Sequence, residues 1–188
     1  DHYSSDGGQT FSGEGGKIKH EGLRETLERF PCGLVKSSQP GALSLSQATE
    51  AGTVYSVSET SELSSIARRN GMCVHMDGAR FANALISAKA TPAEMTWRAG
   101  VDILTLGATK NGALACEAVV FFDAQRAANF AFQRKRGGQT LSKGRFLGAQ
   151  MEAYLADGLW LRLAERANAS ARRLARGLAA APRVRLAW

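Results

Sequence analysis

Two side chains that could do chemistry follow consecutive apolar segments of the sequence. Asp77 comes directly after the segment VHM, and Lys110 follows VDILTL within the small-residue segment GATKNGAL. A lysine ammonium is costly to bury without a partner, so a lysine in this place either reaches water or takes part in chemistry. An aspartate in a DG pair either caps the next turn or faces a ligand. Together, a neutral lysine amine can attack a carbonyl group, and a carboxylate can stabilise a protonated ring nitrogen.

The elements around these residues must bring them to one place. In the segment MCVHMD, Val74 and Met76 project to one face of a predicted strand, and His75 and Asp77 project to the other. Lys110 follows the next predicted strand, about thirty residues later, after a right-handed strand–helix–strand step. Both side chains are therefore expected at one edge of the sheet. A pyridoxal-phosphate site needs this pair, with the lysine bonded to the cofactor as an imine and the carboxylate near its pyridinium nitrogen.

Strand and helix signals alternate through the first two-thirds of the chain. A short helix is predicted over 20–30, and a strand is predicted in GALSLSQATE. Ser58 is predicted to cap a helix over 59–70. A capping box of Thr91 and Glu94 is predicted to begin a further helix. This alternation predicts an α/β fold with a largely parallel sheet.

The last third of the chain is predicted to be helical. Asp123 is predicted to cap a helix that runs to about Arg136, and the segment RVRLAW is predicted to begin another strand. Apolar residues at three- and four-residue steps predict a long amphipathic helix. This stripe consists of Trp160, Leu163, Ala167, Ala171, Leu174 and Leu178.

The composition is that of a globular protein, with 44% hydrophobic and 22% charged residues among 188. No apolar segment approaches the roughly 20 residues that a membrane helix needs, so no membrane association is expected. Cys32, Cys73 and Cys116 are interpreted as small core residues, and their wide spacing argues against metal binding and disulfides and favours the cytoplasm. The sequence begins at Asp1 without a basic-then-apolar leader, so we expect a fragment or a chain whose beginning has been removed.

Positive charge is concentrated in the last third of the sequence. Residues 124–188 contain 13 Lys and Arg against 3 Asp and Glu, whereas the whole chain has a net charge of +7. A basic segment of this kind can bind phosphate groups, can bind nucleic acid, or can have no role beyond solubility. The helices lack interleaved aromatic residues and no nucleic-acid motif is present, so no nucleic-acid partner is expected. A basic α/β module that binds nucleic acid is kept as an alternative function.

Four segments carry a resemblance to a known family. They are SLSQATEAGTVYS, VHMDGARFANAL, TWRAGVDILTLGATKNGALACEAVVFF and RKRGGQTLSKGRFLGAQ. In this order they resemble consecutive blocks of the low-specificity L-threonine aldolases, which are β-eliminating lyases among the fold-type I pyridoxal-phosphate enzymes. The resemblance implies part of the large domain of the aspartate-aminotransferase-like fold, with a mostly parallel sheet and helices on both faces. It implies an incomplete cofactor-binding domain over 1–150, then a helical connection and a truncated C-terminal small domain over 151–188.

The resemblance also implies roles for individual residues. Lys110 matches the lysine that holds pyridoxal 5'-phosphate as an imine, and Asp77 matches the partner of the ring nitrogen. Arg80 matches the arginine that binds the substrate carboxylate, which a guanidinium can do through two parallel hydrogen bonds. Lys135 and Arg145 resemble positions that reach the cofactor phosphate from a neighbouring subunit, which implies a homodimer or homotetramer. The alternatives are a surface salt bridge for Arg80 and a solvated basic surface for Lys135 and Arg145.

Three further residues are expected near the site. Glu50 is placed by the resemblance beside the site without touching the cofactor. His75, from its position in the strand, is expected to be a hydrogen-bonded strand histidine rather than a catalyst. His2 is the candidate for the histidine that stacks on the cofactor ring. The Ser-Gly-Thr segment that cradles the cofactor phosphate in the family is not found, so a complete site is not expected within this sequence. No metal is expected at the site.

The implied reaction is the cleavage of L-threonine, L-allo-threonine and related β-hydroxy-α-amino acids to glycine and an aldehyde. The enzyme class would be a pyridoxal-phosphate-dependent carbon–carbon lyase acting on a small amino-acid substrate. The sequence does not identify the base that removes the β-hydroxyl proton. Besides the binding module, the alternatives are another β-eliminating lyase acting on a different amino acid, and an inactive fragment that retains only the fold.

Overall fold

The computed structural model describes residues 13–185, and His2 lies outside the described residues. A short antiparallel pair of strands, β1 (Gly13–Glu14) and β2 (Lys17–Ile18), comes first. Helix α1 (His20–Arg29) follows directly, which confirms the helix predicted over 20–30.

A four-stranded sheet forms the centre of the fold. Its strands lie side by side in the order β3 (Ala42–Ser46), β4 (Cys73–Gly78), β5 (Ile103–Gly107) and β6 (Glu117–Phe121). The first three of these strands are parallel, and β6 pairs with β5 in the antiparallel sense. The predicted α/β fold with a mostly parallel sheet is confirmed.

One face of the sheet forms the hydrophobic core. In β4, Val74 and Met76 are fully buried, whereas His75 and Asp77 are partly exposed, as the two-residue period of a strand requires. Removing one such apolar side chain from water stabilises the fold by roughly 1.5–3 kcal/mol. Neighbouring strands add Leu43, Leu45, Leu104 and Leu106 to the same core.

Helix α2 (Val57–Arg69) begins two residues earlier than the sequence predicted. Its cap is Ser56, whose hydroxyl accepts a hydrogen bond from the Glu59 amide (3.1 Å), while the Glu59 carboxylate accepts one from the Ser56 amide (2.7 Å). The prediction that Ser58 caps this helix is wrong. A capping box requires the serine three positions before the glutamate, and Ser58 already lies in the first turn.

Two helices, rather than the single predicted one, connect β4 to β5. Helix α3 (Phe81–Ala88) follows β4 almost at once, and the one-turn helix α4 (Pro92–Met95) follows it. The predicted capping box is confirmed, since the Glu94 carboxylate accepts from the Thr91 amide at 2.9 Å and the Thr91 hydroxyl accepts from the Glu94 amide at 3.3 Å. A short 3₁₀ helix, Trp97–Ala99, then leads to β5.

The helix predicted from Asp123 to about Arg136 is divided into two pieces. Asp123 caps a short 3₁₀ helix, Ala124–Ala127, by accepting a hydrogen bond from the Gln125 amide at 2.9 Å. Helix α5 (Phe130–Arg136) begins separately and ends where the sequence predicted.

Two further helices, of which the second is the longest in the described chain, complete the fold. Helix α6 (Arg145–Leu155) and helix α7 (Leu159–Ala179) are separated by a kink, because Asp157 (φ 51°) and Gly158 (φ 68°) are both left-handed. Residues 183–185 do not form the strand predicted for RVRLAW, whose remaining residues lie outside the described part.

Helix α7 packs on α3 along a different stripe from the predicted one. Ala164 is fully buried, and the Asn168 side chain donates to the Asn83 carbonyl oxygen at 3.0 Å. Ala167, Ala171 and Leu174 of the predicted stripe are exposed. Within residues 13–185, no helix is both long and apolar enough to cross a membrane.

Candidate active site

The carboxyl ends of β4 and β5 meet at one edge of the sheet. Asp77 lies near the end of β4, opposite Thr105 of β5 in the parallel register. Lys110 lies in the 3₁₀ turn Thr109–Asn111, just beyond the end of β5. Asp77 and Lys110 are therefore at the same edge, which is where α/β sheets place their ligands.

The turn that carries Lys110 is fixed by its neighbour Asn111. Lys110 is exposed, whereas the Asn111 side chain is buried. The Asn111 amide donates to the Tyr154 hydroxyl at 2.7 Å and to the Trp160 carbonyl oxygen at 2.9 Å. Burial raises the pKa of Tyr154, more than the hydrogen bond from Asn111 lowers it, so this hydroxyl stays protonated. Asn111 thus holds the turn on α6 and α7 while the Lys110 amine remains in solvent.

Glycines around the turn permit a close approach of the chain. Gly107 ends β5 so near to β4 that a Cβ atom there would lie 2.8 Å from the Ala79 Cα. Gly112 has φ +118°, and a Cβ atom there would lie 2.9 Å from the Leu163 Cδ1. A larger residue at Gly107 would displace the turn from the sheet, and a larger residue at Gly112 would be strained by its positive φ.

Cys116 connects the same turn to α6. Its amide donates to the Thr109 hydroxyl at 3.1 Å, and its thiol donates to the Leu147 carbonyl oxygen at 3.0 Å. Burial raises the pKa of Cys116, which therefore remains a thiol. The interpretation of all three cysteines as core residues is wrong, because Cys32 is exposed and Cys73 is only partly buried.

Asp77 caps the turn that follows β4. Its Oδ1 accepts a hydrogen bond from the Ala79 amide at 2.9 Å, and its main-chain carbonyl accepts one from the Gln47 amide at 2.8 Å. The turn-capping interpretation of the DG pair therefore describes the local structure. It uses one of the two carboxylate oxygens, so it is compatible with a second partner for Asp77.

Arg80 forms a two-point ion pair with Glu50. The Nη1–Oε1 distance is 2.8 Å and the Nη2–Oε2 distance is 3.3 Å. This is the salt bridge that the sequence left as the alternative for Arg80, and it lies beyond the carboxyl ends of β3 and β4. The pairing was missed from the sequence because its two residues are 30 positions apart with no pattern that links them.

His75 belongs to a polar row across three strands. Its Nδ1 lies 2.8 Å from the Ser44 hydroxyl, and its Nε2 lies 2.8 Å from the Thr105 hydroxyl. Both ring nitrogens thus have hydrogen-bonding partners, in agreement with the expected strand histidine. The row lies on the face of the sheet that also carries Asp77.

Lys135 and Arg145 are not brought to the Lys110 turn within the described chain. Lys135 is exposed on α5, and the exposed Arg145 begins α6, with its guanidinium 5.1 Å from the centre of the Phe146 ring. Over residues 13–185, neither forms a hydrogen bond or ion pair with Lys110, Asp77 or Arg80.

The described residues also contain no group of three or more His, Cys, Asp or Glu side chains that could hold a metal ion.

Comparisons with known proteins identify relatives of this chain. The low-specificity L-threonine aldolase of Pseudomonas sp. (strain NCIMB 10558) is 42% identical over 178 residues, which cover 94% of this chain and 51% of the relative. The Pseudomonas aeruginosa protein of the same name is 45% identical over 148 residues, covering 79% and 43% of the two chains. This chain therefore spans about half the length of the curated relatives that it matches.

The solved structures include a relative as well. A threonine aldolase from Leishmania major superposes with a TM-score of 0.84 at 29% identity, covering 92% of this chain and 50% of that one. The sequence model of the beta-eliminating lyases matches residues 3–187, nearly the whole sequence. The chain therefore belongs to the beta-eliminating lyase family.

Proposed function

We propose that the complete protein is a pyridoxal-phosphate-dependent lyase that cleaves L-threonine, L-allo-threonine and related β-hydroxy-α-amino acids into glycine and an aldehyde. The observation that carries this proposal is the position of Lys110 and Asp77 at one edge of the sheet. The similarity to low-specificity L-threonine aldolases supports the substrate class. For threonine the products are glycine and acetaldehyde, which together contain all the atoms of the substrate.

The residues at this edge suit pyridoxal 5'-phosphate. The Lys110 amine lies in solvent on a fixed turn of small residues, where a planar aldehyde can approach it. Asp77 has a carboxylate oxygen beyond the one bonded to Ala79, and its charge would keep the ring nitrogen protonated. When bound, the cofactor supplies an electron sink for the electrons released as the substrate Cα–Cβ bond breaks.

Arg80 is proposed to bind the substrate carboxylate. Its guanidinium already holds a carboxylate in the two-point geometry, namely that of Glu50. Glu50 and His75 are proposed to support the site without touching the cofactor. His2 is proposed to stack on the cofactor ring, and it lies outside the described residues.

Lys135 and Arg145 are proposed to reach the cofactor phosphate of a neighbouring subunit in a homodimer or homotetramer. Their exposure supports this, as does the exposure of Phe132 and Phe146 on the same helices, since exposed apolar groups mark contact surfaces.

Residues 151–188 are proposed to lead into a second, smaller domain. The cytoplasmic location stays a prediction from cysteine usage.

Borohydride reduction of the complete, cofactor-loaded protein followed by peptide mapping tests the lysine. We expect the reduced cofactor on the peptide that contains Lys110. Lys110→Ala should carry no reduced cofactor and should not cleave threonine, whereas Lys36→Ala, in an exposed loop, should behave like the parent. Label on another lysine, or parental turnover by Lys110→Ala, would contradict the proposal.

The substrate class is tested by two product assays on the same protein. Threonine should release acetaldehyde, and β-substituted amino acids such as O-acetylserine should release little 2-keto acid. Keto-acid release without aldehyde would identify another β-eliminating lyase and overturn the proposed reaction.

A further inference from the structure

Glu50 is an exposed residue of the loop over 47–55, in which Gln47, Thr49 and Tyr55 are buried. In this loop the Gln47 side-chain amide donates to the Tyr55 carbonyl oxygen (2.9 Å) and accepts from the Tyr55 amide (3.0 Å). The Thr49 amide donates to the Thr53 carbonyl oxygen at 3.0 Å. The loop backbone is therefore held in place, whereas the Glu50 side chain is 68% exposed.

The Glu50 carboxylate occupies the end of the Arg80 guanidinium. Its two oxygens lie 2.8 Å and 3.3 Å from Nη1 and Nη2. A substrate carboxylate would bind this guanidinium end in the same two-point geometry. Two carboxylates cannot share one pair of N–H donors, and their like charges repel each other at that distance.

We infer that Glu50 is an internal competitor: it holds Arg80 in the ligand-free protein and is displaced by the carboxylate of an incoming amino acid. The inference rests on the proposed role of Arg80. It gives Glu50 two effects, which are to keep the Arg80 side chain aligned when no ligand is present and to weaken the binding of every ligand that carries a carboxylate.

A substrate carboxylate bound at the other side of the Arg80 guanidinium would reverse the effect of Glu50 on ligand affinity. If the substrate used the Nε side of the guanidinium, Glu50 would stay in place and orient Arg80, and its removal would weaken ligand binding. The sign of the change in affinity on neutralising Glu50 therefore separates the two arrangements.

The test compares two ligands of the complete, cofactor-loaded protein. Glycine carries a carboxylate, and ethanolamine is the same amine with a hydroxymethyl group in its place. The dissociation constant of each is measured from the absorbance change of the cofactor, in the parent and in Glu50→Gln. Because an exposed ion pair is weak, we expect glycine to bind about one-and-a-half- to fivefold more tightly to Glu50→Gln. Ethanolamine should bind equally to both.

Two controls make the test specific. Glu62→Gln neutralises another exposed glutamate, one that faces His20 on α1, and should leave both dissociation constants unchanged. In an Arg80→Ala background, Glu50→Gln should no longer change glycine affinity, since the competition requires the guanidinium. Glycine binding that is unchanged or weaker in Glu50→Gln would overturn the inference.

Failure of the underlying proposal has a different signature. A parent protein whose cofactor absorbance responds to neither glycine nor ethanolamine would contradict the proposed function. A parent that binds glycine normally, with Glu50→Gln equal to it or weaker, would contradict only the inference about Glu50.

Discussion

The Asn111 amide lies 2.7 Å from the Tyr154 hydroxyl, and this hydrogen bond joins the turn that carries Lys110 to helix α6. Asn111→Ala would remove it together with the bond to the Trp160 carbonyl oxygen, so the buried Tyr154 hydroxyl would lose its donor. We expect a loss of about 1–3 kcal/mol in the free energy of unfolding. Tyr154→Phe removes one partner and leaves the Trp160 contact, so we expect a smaller loss. Urea denaturation measures both, and equal stability of Asn111→Ala and the parent would show that the turn is held by other contacts.

Asp77→Asn separates turn capping from cofactor support. The asparagine oxygen can still accept from the Ala79 amide, so we expect stability close to that of the parent. The neutral side chain cannot stabilise a protonated ring nitrogen. We expect kcat for threonine to fall on the order of 100-fold, equivalent to about 3 kcal/mol of barrier. Asp77→Ala should lose both activity and stability. A fully active Asp77→Asn protein would refute the ring-nitrogen role.

Asp102 should matter for stability alone. It precedes β5, so it lies at the opposite end of that strand from Lys110, and its carboxylate accepts from the Val74 amide at 2.8 Å. It also lies 3.5 Å from Arg68 and 3.6 Å from Arg126. We expect Asp102→Ala to lower the free energy of unfolding by roughly 1–3 kcal/mol, and Asp102→Asn by less, because the amide oxygen can still accept. Activity per folded molecule should be unchanged, and a selective loss of kcat would place Asp102 in the site.

Ser56 and Ser58 provide a matched pair for the start of α2. Ser56→Ala removes the hydroxyl that accepts from the Glu59 amide, so we expect a loss of about 1 kcal/mol. Ser58→Ala leaves that bond intact and should change stability by a few tenths of a kcal/mol at most. Thermal or urea unfolding measures the stability of both variants. A larger loss in Ser58→Ala than in Ser56→Ala would identify Ser58 as the cap.

Glu59 should make the fold sensitive to acid. Burial raises the pKa of Glu59, but hydrogen bonds from Lys17 and from Ser56 outweigh it and hold the pKa below the ordinary value of 4.5. Its stabilising contribution is therefore complete above about pH 4.5 and is lost as the pH falls through the lower, folded-state pKa. Unfolding measured from about pH 6 to about pH 3 should show a smaller acid loss in Glu59→Gln than in the parent. Lys17→Gln should also reduce this loss of stability in acid. If the parent, Glu59→Gln and Lys17→Gln lose stability in parallel as the pH falls, the lowered pKa of Glu59 is not its cause.

The strands of the candidate site could be predicted because each carries a local signal. The alternation around Val74 and Met76 identified β4, and the glycine-rich turn around Lys110 identified the end of β5. Since parallel strands end at one sheet edge, these signals sufficed to predict that Asp77 and Lys110 lie at the same edge.

Helix α3 could not be predicted, because its ends lack the usual signals. Its first flanking residue, Arg80, makes no side-chain cap, and its last is Lys89 with φ 53°, where glycine is the common choice. The helix is stabilised instead by burial of Phe81 and Leu85 in the core, a tertiary effect that local sequence does not express.

The side-chain partners around the site were also beyond the sequence. Glu50 meets Arg80 across 30 residues, and Asn111 meets Tyr154 across 43. Spacing along the chain predicts which elements are neighbours, but which polar side chains pair depends on rotamers and on the exact packing of helices on the sheet.

The distance along the chain between Asn111 and its partners has a consequence for biosynthesis. Tyr154 and Trp160 lie 43 and 49 residues after Asn111, so both leave the ribosome only after all four strands of the sheet. The Glu50–Arg80 pair can form as soon as β4 has folded onto β3, whereas the lysine turn must wait for α6 and the start of α7. The growing chain thus completes the Lys110 turn at the end of β5 among the last parts of this domain, after Asp77 and Arg80 are in place.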